Sequence, residues 1–186
     1  MPDLEIDLAR REDVARILEI SNWAAANTTA NFAIEPEPLE HWIEQFDQTS
    51  ATHPWLVAKR GDEVIGFAKA SPHRSRCAYD WTAEVSVYVA PEHHGRGVGK
   101  ALYEALIPLL RKQGFVTLLA GITSGHSASE KLHARAGFIL CGTFSRVGWK
   151  FGRWHDVGYW ELHLDDGEKP PGALRRVSEV WTPRPT

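Results

Sequence analysis

The order of apolar and polar residues predicts a chain of short strands and helices. Leu4 to Leu8 alternates as a first strand, and Arg11 to about Ala26 has its apolar residues at helical spacing. A second helix begins after Pro38, and its apolar face is formed by Leu39, Trp42, Ile43 and Phe46. Residues 55–68 are then typical of a β-hairpin that turns at Gly61-Asp62.

The pattern is sharpest between Thr82 and Lys100. Thr82 to Val89 alternates as a strand with one apolar face and one polar face, the latter formed by Thr82, Glu84, Ser86 and Tyr88. A turn marked by Pro91 leads into a glycine-rich loop, which opens directly into an amphipathic helix. Gly114 is the predicted end of this helix.

The glycine-rich loop, Gly95 to Gly99, has the composition of an anion-binding site. The first turn of a helix exposes backbone N–H groups without intrahelical partners, and glycines let a phosphate approach them while Arg96 adds a full charge. A plain tight turn uses the same residues and is the alternative interpretation. The loop is not a Walker A motif, because Lys100 is followed by Ala101 rather than by Ser or Thr.

The chain beyond Gly114 continues to alternate between strands and helices. The predicted elements are a strand from Phe115 to Ile122, a helix from Ser127 to Ala136, a strand from Phe138 to Val147, an aromatic loop from Gly148 to His155 and a strand from Asp156 to Leu164. We therefore predict one domain over residues 1–164, followed by a polar, proline-containing tail over residues 165–186.

Composition narrows the class of protein. With 186 residues, of which 43% are hydrophobic, the chain is long enough for one packed core. The net charge is −3 and there is no long run of like charges, so we expect neither nucleic acid nor a membrane surface as a partner. The N-terminus lacks the pattern of a signal peptide, which predicts a cytoplasmic protein. The nine histidines show no zinc-binding spacing, so no metal is expected.

Five further blocks of the sequence carry a family resemblance. They are Thr29 to Phe32, His53 to Ala58, Ala78 to Glu84, Val87 to Val89 and Phe151 to Gly158. Together with the glycine loop, they resemble the phosphinothricin N-acetyltransferases, a group within the GNAT superfamily of N-acetyltransferases. The resemblance implies an α/β (α+β) fold in which a mixed, mostly antiparallel central sheet is flanked by helices. It also implies a homodimer that uses acetyl-CoA to acetylate the α-amino group of phosphinothricin, methionine sulfoximine or methionine sulfone.

The same resemblance implies a set of functional residues. Glu84 would take a proton from the attacking amine and His133 would give one to the departing thiolate. The alternatives are that Glu84 only orients a substrate cation and that His133 is a packing residue. The implied cofactor-binding residues are Val87, Tyr88, Val89, His94, Gly95, Arg96, Gly97, Val98, Gly99, Lys100 and His126. The implied substrate-binding residues are Phe32, Arg76, Tyr79 and Lys150.

Two other functions fit parts of the sequence. The same fold can acetylate other amines, such as a protein N-terminus or a polyamine, but a group of cations favours an anionic acceptor: Arg74, Arg76, Lys150 and Arg153. A domain that binds acyl-CoA without catalysis is the second alternative, against which Glu84 and its polar neighbours speak. His126 also departs from the family pattern, because relatives often carry an asparagine at this position.

Overall fold

Seven strands form a single mixed sheet in the computed structural model, which describes residues 4–165, 167–168 and 171–182. The strands are β1 (Leu4–Leu8), β2 (Trp55–Arg60), β3 (Glu63–Pro72), β4 (Thr82–Val89), β5 (Thr117–Thr123), β6 (Ile139–Lys150) and β7 (Arg153–His163). Their order across the sheet is β1-β2-β3-β4-β5-β7-β6, and every neighbouring pair is antiparallel except β4–β5. The predicted fold class is confirmed.

Helices cover both faces of the sheet. They are α1 (Val14–Asn27), α2 (Leu39–Thr49), α3 (Val98–Gln113), α4 (Ser127–Arg135) and the short α5 (Val177–Val180). The α1 and α2 helices bury Trp42 against Trp55 and Phe67, whereas α3 packs on the opposite face through Leu102 and Leu106. Within the described residues, no helix combines the length and the apolar composition needed to cross a bilayer.

The sheet is split at its centre, between β4 and β5. These parallel strands pair only at three positions, the last of which joins Glu84 to Leu119. Beyond this point β4 continues to Val89 and β5 to Thr123, so the two strands diverge towards their C-terminal ends. The predicted alternation of β4 is confirmed, because Ala83 and Val85 are buried in the core under α3 while Glu84 is exposed on the other face.

The prediction of an aromatic loop from Gly148 to His155 is wrong. β6 runs on to Lys150 and β7 begins at Arg153, so only Phe151 and Gly152 form the turn. Both turn residues have a positive φ, 50° and 73°, which is the backbone of a two-residue hairpin turn whose twist matches the flanking strands. The clustered aromatic and cationic side chains therefore stand on strands.

The segment predicted as a tail packs on the domain in the part that the structure describes. Val177 and Val180 of α5 are buried, and Val180 belongs to the core under α3. The amide nitrogen of Gln113 donates to the carbonyl oxygen of Arg175 at 2.9 Å and ties the segment to the end of α3. Apolar residues spaced three apart make this contact possible in an otherwise polar sequence. Residues 166, 169–170 and 183–186 of the predicted tail lie outside the described residues.

Candidate active site

A cleft opens where β4 and β5 diverge. It is lined by Ala30, Val85, Ser86, Val87, Tyr88, Gly121, Ile122, Thr123, His126, Ser129 and His133. Because β4 pairs with β5 only as far as Glu84, the backbone of Val87 to Val89 has a strand partner, β3, on one side only. Backbone groups that lack a strand partner can bind an extended ligand by hydrogen bonds, as an added strand would.

The glycine-rich loop lies at the end of β4 and opens α3. Gly95 and Gly97 have φ values of 73° and 81°, a region that other residues rarely adopt. The first intrahelical hydrogen bond runs from the nitrogen of Ala101 to the oxygen of Gly97, at 3.0 Å, so the preceding N–H groups of the first turn remain available to an anion. The loop therefore has the geometry of a phosphate site as well as its composition.

Gly99 and His94 have structural tasks in the same loop. A Cβ atom on Gly99 would lie 3.1 Å from the Cδ2 atom of Leu132, so glycine lets α3 approach α4 closely. His94 donates from Nε2 to the carbonyl oxygen of Val89 at 2.9 Å, because that oxygen can only accept. Its ring also contacts Trp23 edge-on, with centroids 5.9 Å apart. His94 thus anchors the loop to the end of β4.

Glu84 stands at the point where the sheet splits. Its side chain is 49% exposed, and its Oε1 atom lies 2.7 Å from the Nδ1 atom of His73, which follows β3 directly. A solvent-accessible carboxylate at the mouth of a cleft can accept a proton from a bound amine. The predicted base therefore precedes the cleft-lining residues of β4 and contacts the loop after β3.

That loop forms a second concavity of about 430 Å³, lined by Arg74, Ser75, Arg76 and Tyr79. The guanidinium of Arg74 lies 5.8 Å from the centre of the Tyr79 ring, and the ring of His73 meets Tyr79 edge-on at 5.6 Å. Two arginines beside an aromatic wall suit a small anion. The predicted residues Arg76 and Tyr79 thus line the same concavity, and His73 links Tyr79 to Glu84.

His133 lines the cleft but is almost fully buried, with 4% of its surface exposed. Its Nδ1 atom lies 2.8 Å from the carbonyl oxygen of Ser129 and therefore carries the proton, while Nε2 accepts from the hydroxyl of Tyr103 at 2.7 Å. Burial lowers the pKa of His133 and so favours the neutral ring. Both ring nitrogens are engaged, which leaves no free N–H group for a departing thiolate.

The loop between α1 and α2 is fastened across the split by three consecutive carbonyl oxygens. Thr29 accepts from the hydroxyl of Thr123 on β5, and Ala30 accepts from the hydroxyl of Tyr88 on β4 at 3.1 Å. Asn31 accepts from the ammonium of Lys150 on β6 at 2.6 Å. Strands from both sides of the split therefore hold this loop over the cleft.

Phe32 is carried by the fastened loop and rests on the backbone of Gly148. A Cβ atom at Gly148 would come within 2.7 Å of the Phe32 ring, so any other residue would displace the ring from this position. Lys150 also donates to the oxygen of Ala25 and is 6% exposed, and desolvation lowers its pKa. Its ammonium is held by backbone oxygens, so the structure gives the predicted substrate-binding lysine the task of positioning the Phe32 loop.

His126 begins α4. Its Nδ1 atom accepts from the backbone nitrogen of Ser129 at 3.4 Å, in the position of a helix N-cap, and its side chain borders the cleft. His126 is therefore the capping residue of α4 in this chain. Whether the same ring contacts a cofactor stays a prediction.

One cluster in the described part of the chain has the residue types of a metal site. Glu63, Glu92 and His93 have potential ligand atoms within 4.8 Å of one another. Arg16 lies between the two carboxylates, with nitrogen–oxygen distances of 3.6 Å to Glu63 and 3.5 Å to Glu92. Arg16 therefore supplies one positive charge that both carboxylates share, so the two acidic groups are already engaged in ion pairs within the protein.

These features agree with comparisons to known proteins. The model of the acetyltransferase (GNAT) family matches residues 17–138. The chain belongs to the GNAT acetyltransferase family. It is 36% identical to a phosphinothricin N-acetyltransferase of Streptomyces viridochromogenes over 95% of this chain and 96% of that protein. It is 39% identical to an L-methionine sulfoximine/L-methionine sulfone acetyltransferase of Pseudomonas paraeruginosa, covering 86% and 94%.

A solved relative extends this agreement to three dimensions. The structure of a GNAT phosphinothricin acetyltransferase from Sinorhizobium meliloti, in complex with acetyl-CoA, superposes with a TM-score of 0.87 at 32% identity. The match covers 92% of this chain and 94% of that one. This chain is therefore a GNAT acetyltransferase in sequence and in fold.

Sequence reasoning missed three residues of this GNAT acetyltransferase that touch the predicted site. His73 lies in an arginine-rich connection, and Tyr103 lies among the apolar positions of a helix. Neither residue interrupts a periodic pattern, so neither is marked in the sequence as part of a site. Asn31 stood within the family block, but its carbonyl contact with Lys150 joins residues 119 positions apart. Contacts of this kind depend on strand order, which the sequence does not display.

Proposed function

We propose that this acetyltransferase transfers the acetyl group of acetyl-CoA to the α-amino group of a small amino acid with an anionic or strongly polar side chain, such as phosphinothricin, methionine sulfoximine or methionine sulfone. The observation that carries the proposal is the position of Glu84. It stands at the split of the sheet, between the cleft that begins beyond it and the arginine pocket after β3. A base between a cofactor site and an anion pocket suits an amine that carries acidic groups.

Acetyl-CoA would occupy the cleft and the glycine loop. The pyrophosphate would bind the free N–H groups from Gly95 to Lys100, and the pantetheine arm would pair with the backbone of Val87 to Val89. An N–H group of this strand edge would also stabilise the oxyanion that forms when the thioester carbonyl is attacked. The relative from Sinorhizobium meliloti, which was solved in complex with acetyl-CoA, supports acetyl-CoA as the acyl donor.

Glu84 would act as the general base. An α-amino group is protonated at neutral pH and must lose a proton before it can attack the thioester. The carboxylate would remove that proton, and the free amine would then attack the carbonyl directly, without an acyl-enzyme intermediate. With both nitrogens of His133 engaged, we assign that residue to the wall of the cleft.

The pocket after β3 would select the substrate by charge. Arg76, with Arg74 beside it, would bind the carboxylate or the phosphinate through charge-assisted hydrogen bonds, and Tyr79 and Phe32 would border the side chain. A polyamine would place additional positive charge against these arginines. The pocket therefore favours an amino acid with a second anionic or strongly polar group.

The test is release of CoA thiol from acetyl-CoA with phosphinothricin, methionine sulfoximine, methionine sulfone, a peptide N-terminus and spermidine as separate acceptors. We expect turnover with the first three acceptors and a loss of about 100-fold in kcat for Glu84→Gln. Glu12→Gln is the matched control, because its side chain is 75% exposed and paired with Arg10 on the distant β1 side. Turnover only with the peptide or the polyamine would discard the substrate class, and full activity of Glu84→Gln would discard the base.

We also propose that the protein is a homodimer that associates through the β6–β7 hairpin. This hairpin carries a group of large apolar side chains that are more than half exposed: Ile139, Leu140, Phe144, Val147, Trp149, Phe151 and Trp154. β6 is moreover an edge of the sheet, with β7 on one side only. An apolar edge of this length is unusual on a monomer and suits a second copy of the same chain.

Sedimentation velocity would test the dimer. We expect a dimer for the wild type and a monomer for Phe144→Glu, because a charge in the centre of the apolar group opposes association. Ala51→Glu, an exposed change in the turn after α2, is the control and should leave the mass unchanged. A wild-type monomer at micromolar concentration would contradict the proposal.

A further inference from the structure

The side chain of His73 contacts the carboxylate of Glu84. His73 follows the last residue of β3, and its Nδ1 atom lies 2.7 Å from Oε1 of Glu84. The imidazole is well packed, with 16% of its side chain exposed, whereas Glu84 is half exposed. A rigid group therefore holds one oxygen of an otherwise mobile carboxylate.

The neighbouring Arg74 determines which ring nitrogen of His73 carries the proton. Its Nε–H group points at Nε2 of His73, at 3.3 Å. A guanidinium can only donate, so Nε2 must accept and the proton of the neutral ring lies on Nδ1. Nδ1 therefore donates to Glu84. The edge of Tyr79, 5.6 Å away between ring centres, keeps the imidazole in this orientation.

This chain of contacts matches the task of a general base. With Oε1 occupied by a donor, the carboxylate is fixed in one rotamer and Oε2 is left to meet the amine. A base accelerates proton transfer only within hydrogen-bond reach of the proton that it removes. Loss of the donor would let the exposed Glu84 side chain turn into solvent.

We propose that His73 is a positioning residue for Glu84, held in the correct tautomer by Arg74. The proposal rests on the proposed function, since it assumes that Glu84 is the base. His73 itself does not exchange a proton with the substrate; it acts through the carboxylate. A donor at the Nδ1 position is therefore sufficient, and a titrating ring is not required.

Four variants test the proposal: His73→Asn, His73→Phe, Glu84→Gln and the double variant His73→Phe/Glu84→Gln. The amide nitrogen of asparagine lies where Nδ1 of histidine does, so His73→Asn should keep kcat within about threefold of the wild type. His73→Phe keeps a ring but has no donor, and we expect kcat to fall about 10-fold with the KM for acetyl-CoA unchanged. In the Glu84→Gln background the same change should have no further effect on kcat, because no base remains for His73 to position.

The outcomes separate this proposal from the proposed function. A loss from His73→Phe that is equal in both backgrounds, or an inactive His73→Asn, would show a merely structural role and overturn the proposal. Full activity of Glu84→Gln would overturn the base itself, and the proposal with it. Thermal melting of every variant reports folding, and His73→Ala serves as a second donor-free variant if His73→Phe melts early.

Discussion

The two sides of the split sheet are built differently. On the β1–β4 side, helices cover both faces, and large side chains such as Trp55, Phe67 and Leu106 are buried completely or nearly so. On the far side, the β6–β7 hairpin leaves Phe144 and Trp149 more than half exposed. Within the sheet, the two sides are joined by three residue pairs between β4 and β5.

This difference separates two tasks. The covered side contains most of the buried core and holds Glu84, His73 and the glycine loop in place, and this core continues under α3 to Leu118 and Phe138 beyond the split. The uncovered hairpin contributes little to that core, but it reaches back through Lys150 and Gly148 to seat the loop that carries Phe32. The proposed base therefore belongs to the covered side of the sheet. The position of Phe32, in the proposed substrate site, depends on the hairpin that is proposed to form the dimer interface.

The largest expected effect contrasts a core residue with a hairpin residue. Leu106 is fully buried under the sheet and Phe144 is 59% exposed. Leu106→Ala should lower the free energy of unfolding by about 3 kcal/mol because it leaves a cavity. Phe144→Ala should cost less than about 1 kcal/mol at protein concentrations where the chain is a monomer. Urea unfolding measures both, and equal costs would contradict the comparison.

Lys150 is the hairpin residue that stabilises α1 and the loop after it. Lys150→Met keeps the length of the side chain but leaves the carbonyl oxygens of Ala25 and Asn31 without their donor. We expect a loss of about 2 kcal/mol in unfolding free energy, and a raised KM for the amine because the Phe32 loop is released. Hydrogen exchange across residues 28–34 should increase. Lys112→Met, an exposed change on α3, is the control and should have neither effect.

The covered side and the two strands of the hairpin were predictable from sequence, whereas the ends of these strands at the turn were not, for a physical reason. Core elements such as β4 and α3 show their burial as a period of two or 3.6 residues, and the glycine loop shows its backbone as composition. In the hairpin both faces are rich in aromatic residues, so alternation is lost and residues 148–155 resemble a loop. The His73–Glu84 contact left no signal either, because it depends on the pairing of β3 with β4.

The buried ammonium of Lys69 lowers the stability of the covered side, and this loss of stability depends on pH. Its ammonium lies 4.4 Å from the ring centre of Trp42 and 4.5 Å from that of Trp55, and burial lowers its pKa from 10.5 to about 8. The unfolded chain therefore binds more protons between these values, so the protein should become more stable as the pH rises through that window.

Lys69→Met should remove this dependence. We expect the variant to exceed the wild type by about 2 kcal/mol in unfolding free energy at pH 7 and by less at about pH 9.5, where native Lys69 is mostly neutral. Urea unfolding of both proteins across this range isolates the lysine, because all other titrating groups cancel in the difference. A difference independent of pH would show that the two indole rings compensate for the lost hydration of the ammonium.

The smallest effect concerns Gly97, which lies on the covered side in the loop proposed to bind the pyrophosphate of acetyl-CoA. Its φ is 81° and nothing lies within 4 Å of the position that a Cβ atom would take, so Gly97→Ala introduces backbone strain without a clash. We expect a cost of about 1 kcal/mol in stability and a weaker Kd for acetyl-CoA, because the strained loop turns its N–H groups away from the pyrophosphate. Gly97→Asn should cost less, since asparagine tolerates this conformation. Calorimetric titration measures the Kd for acetyl-CoA, and thermal melting measures the loss of stability. An unchanged Kd in Gly97→Ala would contradict the prediction and show that α3 keeps the loop in shape despite the strain.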